Sequence, residues 1–342
     1  MSQERNSKRY EFLIMDKGGF VMVQEYKQDW YTHLDELKSM HKDIAALCEG
    51  KKVAFLDLPF HYNVGDLLIY LGTEQFFKDY SIDVAYRAFC KSINHKRLQT
   101  CDVILFQGGG HFGDIYPAHQ LFREEIISRY PNKRIVMLPA TIHFASEQAL
   151  EKSKAIHAQH KDLHLLLRDK KSEKLAEGFS ENISLMPDMA HSLHPLIEAC
   201  EVEDKEPSCS KILNMRRIDV EAKAGREIGI RKKGFDWDSI VSSWDQILYQ
   251  LTHMAERFPW FIPNEKLVKL WLRQSNSLVF RSIFYFNSFN LVYTDRMHGL
   301  ILSYLLGKNI KLIDNSYGKN YSYYELWLKD SPLIELVGNE SK

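Results

Sequence analysis

No apolar run in this chain approaches the ~18 residues that a bilayer-spanning helix needs, so no transmembrane segment is expected. Charged residues are scattered through the first twenty positions, and no secretory signal is expected there. Cysteine is sparse: Cys48, Cys90, Cys101, Cys200 and Cys209 form an odd, scattered set without a CxxC pair. That pattern argues against a disulfide framework or a zinc ribbon and fits a reducing cytoplasm. Net charge is absent as well, with 45 Lys and Arg against 45 Asp and Glu and a pI near 7.2. Nucleic-acid-binding domains are usually basic, so that class is set aside. Neither an internal repeat nor a low-complexity tract is visible. What remains is an ordinary globular composition, 45% hydrophobic and 26% charged, over 342 residues, a length that suggests two domains.

A β-like stretch at Tyr10–Met15 and an amphipathic helix near Trp30–Leu47 open the chain. Strands are predicted at Val53–Leu58, Asp83–Phe89, Val103–Phe106, Arg134–Leu138, Leu163–Leu167 and Ile183–Leu185, with a helix over Asp66–Tyr80. Further helical segments lie between most of these strands. Short apolar strands separated by helices predict a parallel sheet covered on both faces. The acidic stretch Glu198–Glu206, followed by Pro207, reads as a linker. Beyond it come a strand at Lys211–Met215 and helices within Ser239–Phe258, Glu265–Ser277 and Leu278–Phe286. The last unit is a strand at Asn290–Tyr293, a helix at Met297–Leu306 and a strand at Asn309–Ile313. The predicted architecture is α/β, with one Rossmann-like domain over residues 1–200 (an extension to about residue 50 included) and another over 207–342. Sites in such folds lie beyond the carboxyl ends of the strands, here in a cleft between domains.

Three segments stand at such strand ends. Gly108-Gly-Gly-His-Phe-Gly113 matches G-x-G-x-x-G, but it follows an interior strand and no acid ends the next one. That disfavours a dinucleotide fingerprint and leaves two readings: Gly108, Gly109 and Gly110 wall a sugar or phosphate pocket, or they make a tight turn. In His61-Tyr-Asn-Val-Gly65-Asp66, Asn63 is placed to cap a helix and Asp66 to lie in its first turn. Asp66 either serves that helix end or meets a sugar hydroxyl as acceptor or base. Thr294-Asp-Arg-Met-His298-Gly299 is the most informative segment. Arg296 and His298 sit at a helix N-terminus, beside unpaired amides and the positive end of the macrodipole, which favours anions. A structural Arg296, paired with Asp295, is the alternative.

Other cations gather near the same inferred pocket. Lys319 follows the last strand's Asp314, and Arg216 and Arg217 stand at the tip of the Lys211–Met215 strand. Residues 211–234 hold eight Lys and Arg against three acids. Cations concentrated around one pocket of a neutral chain suggest a small anionic substrate. Arg168 and Asp188 end other strands and either line the cleft or pair internally. His191-x-x-His194 lacks a third ligand, and Pro195 interrupts the helix it would need, so no metal site is expected.

In order along the chain stand Asn63-Val-Gly-Asp66, Gln107-Gly-Gly-Gly110 with Gly113-Asp114, Arg168-Asp-Lys-Lys-Ser172 and Pro187-Asp188. Arg216-Arg217 with Asp219-Val-Glu221 and Thr294-Asp-Arg-Met-His-Gly299 follow. From roughly residue 50 to 328, this set resembles the polysaccharide pyruvyltransferase family. The resemblance implies a GT-B-like fold of two Rossmann-like domains facing a cleft. It implies transfer of pyruvate from phosphoenolpyruvate to a sugar of an exopolysaccharide or its lipid-linked precursor, forming a ketal and releasing phosphate.

On this resemblance Arg296 and His298 serve the donor, with Arg216 or Arg217 as further contacts, and Asp66 and Gly108 to Gly110 lie on the acceptor side. Arg296 would clamp donor oxygens, His298 would touch phosphate and supply a proton, and Asp66 would act as base. Asn63, Arg168, Asp188 and Lys319 complete the candidate substrate contacts. No cofactor is implied beyond the donor substrate. Other polysaccharide-assembly enzymes are the expected protein partners, at a cytoplasmic location peripheral to the inner membrane face. The charged insert at Ala222–Gly234 departs from the simplest family pattern. The rival readings are a nucleotide-sugar glycosyltransferase on the same architecture, a non-catalytic sugar- or anion-binding protein, and a dehydrogenase.

Overall fold

The computed structural model describes residues 19–196, 211–216, 234–258, 262–314 and 318–337. The predicted stretch at Tyr10–Met15, the acidic linker at Glu198–Glu206 and Arg217 lie outside them. Two helices come first, α1 (Gly19–Met40) and α2 (Lys42–Cys48), where the amphipathic pattern suggests one. The first sheet begins with β1 (Val53–Leu56), α3 (Val64–Asp79), β2 (Val84–Ala88), α4 (His95–Gln99), β3 (Val103–Phe106) and β4 (Gly109–Gly113). It continues through α5 (Pro117–Arg129), β5 (Arg134–His143), α6 (Glu147–His157), β6 (Leu163–Leu167), α7 (Lys170–Leu175) and β7 (Asn182–Leu185). The second sheet is built from β8 (Ile212–Met215), α8 (Ser243–Arg257), α9 (Asn264–Asn287), β9 (Leu291–Thr294) and α10 (Met297–Leu305). Then follow β10 (Asn309–Leu312), α11 (Lys319–Trp327) and β11 (Ile334–Leu336).

The strands named here pair in parallel. The seven-stranded sheet runs β2-β1-β3-β5-β6-β7 with β4 attached to β5, and the four-stranded sheet runs β11-β10-β9-β8. Alternate strand residues enter different cores, as the pleat demands. Ala54, Leu56, Ile104, Phe106, Ile135 and Met137 pack in one cluster. Val53, Phe55, Val103, Leu105, Val136 and Leu138 enter another, which is continuous with the second sheet. Leu67, Leu68 and Leu71 of α3 share that core with Trp271 of α9, Leu300 and Ile301 of α10, and Val292 of β9. Trp30 of α1 joins it from outside, its indole donating at 2.6 Å to the carbonyl of Tyr304.

Two expectations need correction. The glycine block is neither a loop nor a turn: Gly109–Gly113 forms β4, lying along β5. A Cβ at Gly108 would sit 2.5 Å from the Pro139 carbonyl oxygen and one at Gly113 1.7 Å from that of His143. Gly109 and Gly113 also hold positive φ values of 115° and 132°. These glycines serve the close approach of two backbones. Secondly, the segments at Glu265–Ser277 and Leu278–Phe286 are one helix. Leu267, Trp271, Ser275, Leu278, Ser282 and Phe286 continue a single buried stripe along α9, and the small serines let it pack closely.

Candidate active site

A cavity of about 260 Å³ opens where the carboxyl ends of both sheets meet. Asn63, Asp66, Gly110, Arg168, Arg296, His298 and Lys319 line it, together with His61, His111, Tyr116, His119, Trp237, Met297 and Asn320. Seven of the sequence-derived candidates thus converge on one space. Gly108 and Gly109 do not line it; they pack against β5 and, for Gly109, against Ile69 and His111. Arg216 does not line it either, because its Nε pairs at 3.2 Å with Asp295. Arg217 belongs to the residues not described.

Every polar position of the Thr294–Gly299 segment has a structural task at the start of α10. The Thr294 hydroxyl accepts from the Arg296 amide at 3.0 Å. Asp295 takes Arg216, and the Arg296 guanidinium bonds to buried Asp236. The alternative pairing of Arg296 with Asp295 is therefore not the one adopted. Gly299 has to be small, since a Cβ would lie 2.4 Å from Thr294 Oγ1 and 2.6 Å from Met215 Sδ. Arg296 is the N-cap residue and His298 lies in the first turn, so both stand at the positive end of the helix.

Behind His298 lies Asp188, fully buried. One of its carboxylate oxygens accepts from Arg168 Nη1 at 2.6 Å and stands 3.4 Å from His298 Nε2. Its other oxygen accepts from the Ala190 amide at 2.9 Å. Burial alone raises this carboxyl, but His298 and Arg168 outweigh it and hold the group well below the usual carboxylate range. Arg168 also donates from Nε to Thr141 at 2.8 Å. Asp188 therefore holds Arg168 and His298 at the cavity wall and does not itself line the cavity. The other ring nitrogen of His298, Nδ1, faces Gly65, where an added Cβ would come within 2.6 Å. Asn63 caps α3 by accepting from the Gly65 amide at 3.0 Å. The Asn-Val-Gly-Asp segment thus starts a helix and keeps His298 Nδ1 uncovered.

A second buried carboxylate, Asp57, follows β1 and was not singled out from the sequence. Its Oδ1 lies 2.6 Å from both His119 Nδ1 and Cys90 Sγ, and its Oδ2 lies 2.6 Å from Arg123 and 3.4 Å from His111. Burial raises its pKa, yet Arg123 and the two histidines bring it well below the ordinary value. Because the carboxylate is ionised, His119 Nδ1 is the donor in this contact. Burial, with the Arg123 cation beside it, pushes the His111 imidazole down to about 4. Asp57 adopts φ of 64°, a left-handed conformation that costs energy outside glycine. An acid within the apolar Val53–Leu58 run was the sequence signal available for this cluster.

Ligand-type atoms of Asp57, His111 and His119 lie within 4.8 Å of one another. The buried Arg123 guanidinium already forms an ion pair with that carboxylate, a fixed positive charge unfavourable to a neighbouring dication. His191 and His194 turn to separate partners, His191 to the Tyr323 hydroxyl at 2.9 Å and His194 to Asp35 at 3.4 Å.

This arrangement can be set beside known proteins. A crystal structure of an uncharacterised Klebsiella pneumoniae protein is similar with a TM-score of 0.53 and 19% identity, covering 87% of this chain and 98% of that one. Such a likeness shows the fold alone. EpsO of Bacillus subtilis (strain 168), named as a pyruvyl transferase, is 36% identical over 298 residues, 85% of this chain and 90% of that protein. Pyruvyl transferase 1 of Schizosaccharomyces pombe is 26% identical over 295 residues, 81% of this chain and 70% of its own. The profile of the family Polysaccharide pyruvyl transferase matches residues 63–317, a span that contains Asn63, Asp188, Arg296 and His298 alike. With most of its length and both cation-bearing walls of the cavity inside that match, the chain belongs to the polysaccharide pyruvyl transferase family.

Proposed function

We propose that this cavity transfers the pyruvyl group of phosphoenolpyruvate to a sugar as a ketal, within a GT-B-like frame whose halves are the two parallel sheets. The observation that carries the reading is the convergence of Arg168, Arg296, His298 and Lys319 on one small cavity at the N-terminus of α10. Phosphoenolpyruvate brings a carboxylate and a phosphate, and these cations match both. About 260 Å³ falls below the ~300–1,000 Å³ of pockets that enclose drug-sized ligands, which suits a three-carbon acid better than a nucleotide sugar.

In the reaction the methylene carbon gains a proton and the central carbon develops oxocarbenium character. One sugar hydroxyl attacks that carbon, phosphate departs with the C–O electron pair, and a second hydroxyl closes the ketal ring. Arg296 holds donor oxygens as leaving-group charge grows. His298, with Asp188 beside its Nε2, contacts phosphate and supplies a proton from Nδ1. His119, oriented by Asp57, and Asp66 are the groups assigned to take hydroxyl protons. The acceptor is a polysaccharide unit or its lipid-linked precursor, met in the cytoplasm at the membrane face.

The test is phosphate release from phosphoenolpyruvate across a panel of synthetic and lipid-linked glycans, with calorimetric titration of phosphoenolpyruvate and UDP-sugars beside it. Phosphate release with at least one glycan is expected. Binding of a UDP-sugar without binding of phosphoenolpyruvate would overturn the assignment in favour of glycosyl transfer.

A further inference from the structure

The outer faces of α8 and α9 carry large apolar side chains that the core does not use. On α8, Trp244, Ile247, Leu248, Leu251 and Met254 are all exposed, Trp244 by 75%. Their spacing of three and four residues lines them along one helical face. The inner side of the same helix is occupied separately: Thr252 and Ala255 are buried, and Tyr249 packs on Tyr62 with ring centroids 5.1 Å apart. On α9, Phe280 and Phe284 are exposed by 68% and 76%. The two helices run antiparallel, because Asp245 near the start of α8 pairs at 2.8 Å with Arg281 late in α9. Trp244 therefore lies at the same end as Phe280 and Phe284, and the apolar stripes adjoin. Isolated exposed apolar residues are ordinary, whereas a contiguous set on two neighbouring helices marks a contact surface.

Charge identifies what the surface meets. Along the exposed side of α9, Lys266, Lys269 and Arg273 recur at helical spacing, and Arg257 is exposed at the end of α8. Among the described residues of these helices the one exposed acid is Glu265, which pairs with Arg97. We propose that this face seats on an anionic lipid bilayer, with the Trp244–Met254 stripe and Phe280 and Phe284 in the headgroup boundary and the basic side chains on lipid phosphates. A two-fold contact with a second copy would instead bring the same cations together without exposed acids to meet them. The proposal rests on the reading of the acceptor as a lipid-linked sugar. Tyr62, which packs on the inner side of α8, is flanked by His61 and Asn63 of the cavity lining. Membrane and cavity are thus one helix apart.

The experiment is flotation of the intact chain, without substrates, with vesicles of phosphatidylcholine alone or mixed with phosphatidylglycerol. Salt-sensitive binding to the mixed vesicles is expected. The triple variant Lys266→Gln, Lys269→Gln, Arg273→Gln should lose roughly fivefold in affinity per charge removed, roughly a hundredfold in all. The double variant Trp244→Gln, Leu251→Gln should lose at least about tenfold. Thermal unfolding without vesicles should be unchanged in both, since the substituted side chains are exposed. Wild-type protein that ignores phosphatidylglycerol, or variants that bind as wild type does, would overturn the proposal. A dimer abolished by the double variant, with no vesicle binding, would assign the face to self-association and overturn it too. No step of this assay needs pyruvyl transfer, so its failure and the failure of the proposed chemistry are read separately.

Discussion

Gly65→Ala adds one methyl group and tests whether the first turn of α3 exists to leave His298 uncovered. The new Cβ would lie 2.6 Å from His298 Nδ1, against an ordinary contact of 3.4 Å or more, so the ring must retreat by 3.4 − 2.6, about 0.8 Å. Forcing the side chain off its rotamer costs about 0.5–1.5 kcal/mol. Alanine in place of glycine returns up to about 1 kcal/mol of helix propensity, so net stability should barely change. The rate should not survive so well. A reacting group displaced by about 1 Å costs on the order of a hundredfold, and here the methyl also covers the nitrogen assigned the proton. Gly72→Ala is the contrasting case, because its Cβ would meet the Met189 carbonyl oxygen at 2.1 Å, and backbone cannot step aside. Phosphate release at saturating phosphoenolpyruvate, measured beside the thermal midpoint, separates the two. Gly65→Ala should be folded and slow, and Gly72→Ala should be destabilised. A Gly65→Ala enzyme at the wild-type rate, or one as destabilised as Gly72→Ala, would refute the reasoning.

Three further outcomes are expected. Arg296→Ala should lower turnover by about a hundredfold to a thousandfold with the fold retained, and Arg296→Lys should recover little, because the planar fork is lost; near-normal phosphate release would remove the donor site. Burial pushes His41, His111 and His157 down to about 4 and His191 to about 3, from an ordinary 6.5. The unfolded chain then binds more protons than the folded one, so each histidine should withdraw about 1.4 kcal/mol per pH unit as pH falls from 6.5 toward 4. Asp57 and Asp188, both held low, lose their contribution only below 3.8 and leave that window to the histidines; urea midpoints that stay flat across it would contradict the assignment. Finally, a chelator should leave phosphate release unchanged, since Arg123 already neutralises Asp57. Activity lost to chelation and restored by a divalent metal would reassign Asp57, His111 and His119 as ligands.

Apart from β4, the strands of the first sheet were legible from short runs rich in apolar residues between helical segments, as in Val103–Phe106 and Leu163–Leu167. The start of α10 was equally legible, since Thr294 to Gly299 carries its own cap, cation and close-packing glycine. Glycine misled at Gly109–Gly113, where low strand propensity gave way to a tertiary demand, the approach of β4 to β5. The Asp57 cluster stayed hidden because its members come from β1, β4 and α5, and no local pattern links residues 57, 111, 119 and 123. Asp236, the partner of Arg296, lies 60 residues before it, and no local pattern links the two. Arg216 was assigned to the donor from its place at a strand tip and from the family resemblance, and in the structure its Nε pairs with Asp295.

The leucine-rich seam that joins the sheets through α3, α9 and α10 bears on how substrates come and go. Parting the halves like a clamshell would hydrate Leu67, Leu68, Trp271, Leu300 and Ile301, each at about 1.5–3 kcal/mol, a sum comparable with the whole stability of a folded domain. Turnover cannot depend on such an excursion. Donor and acceptor must instead thread the rim of a slot that is already assembled, so any gating falls to its edge side chains, such as His61, Tyr116 and Lys319.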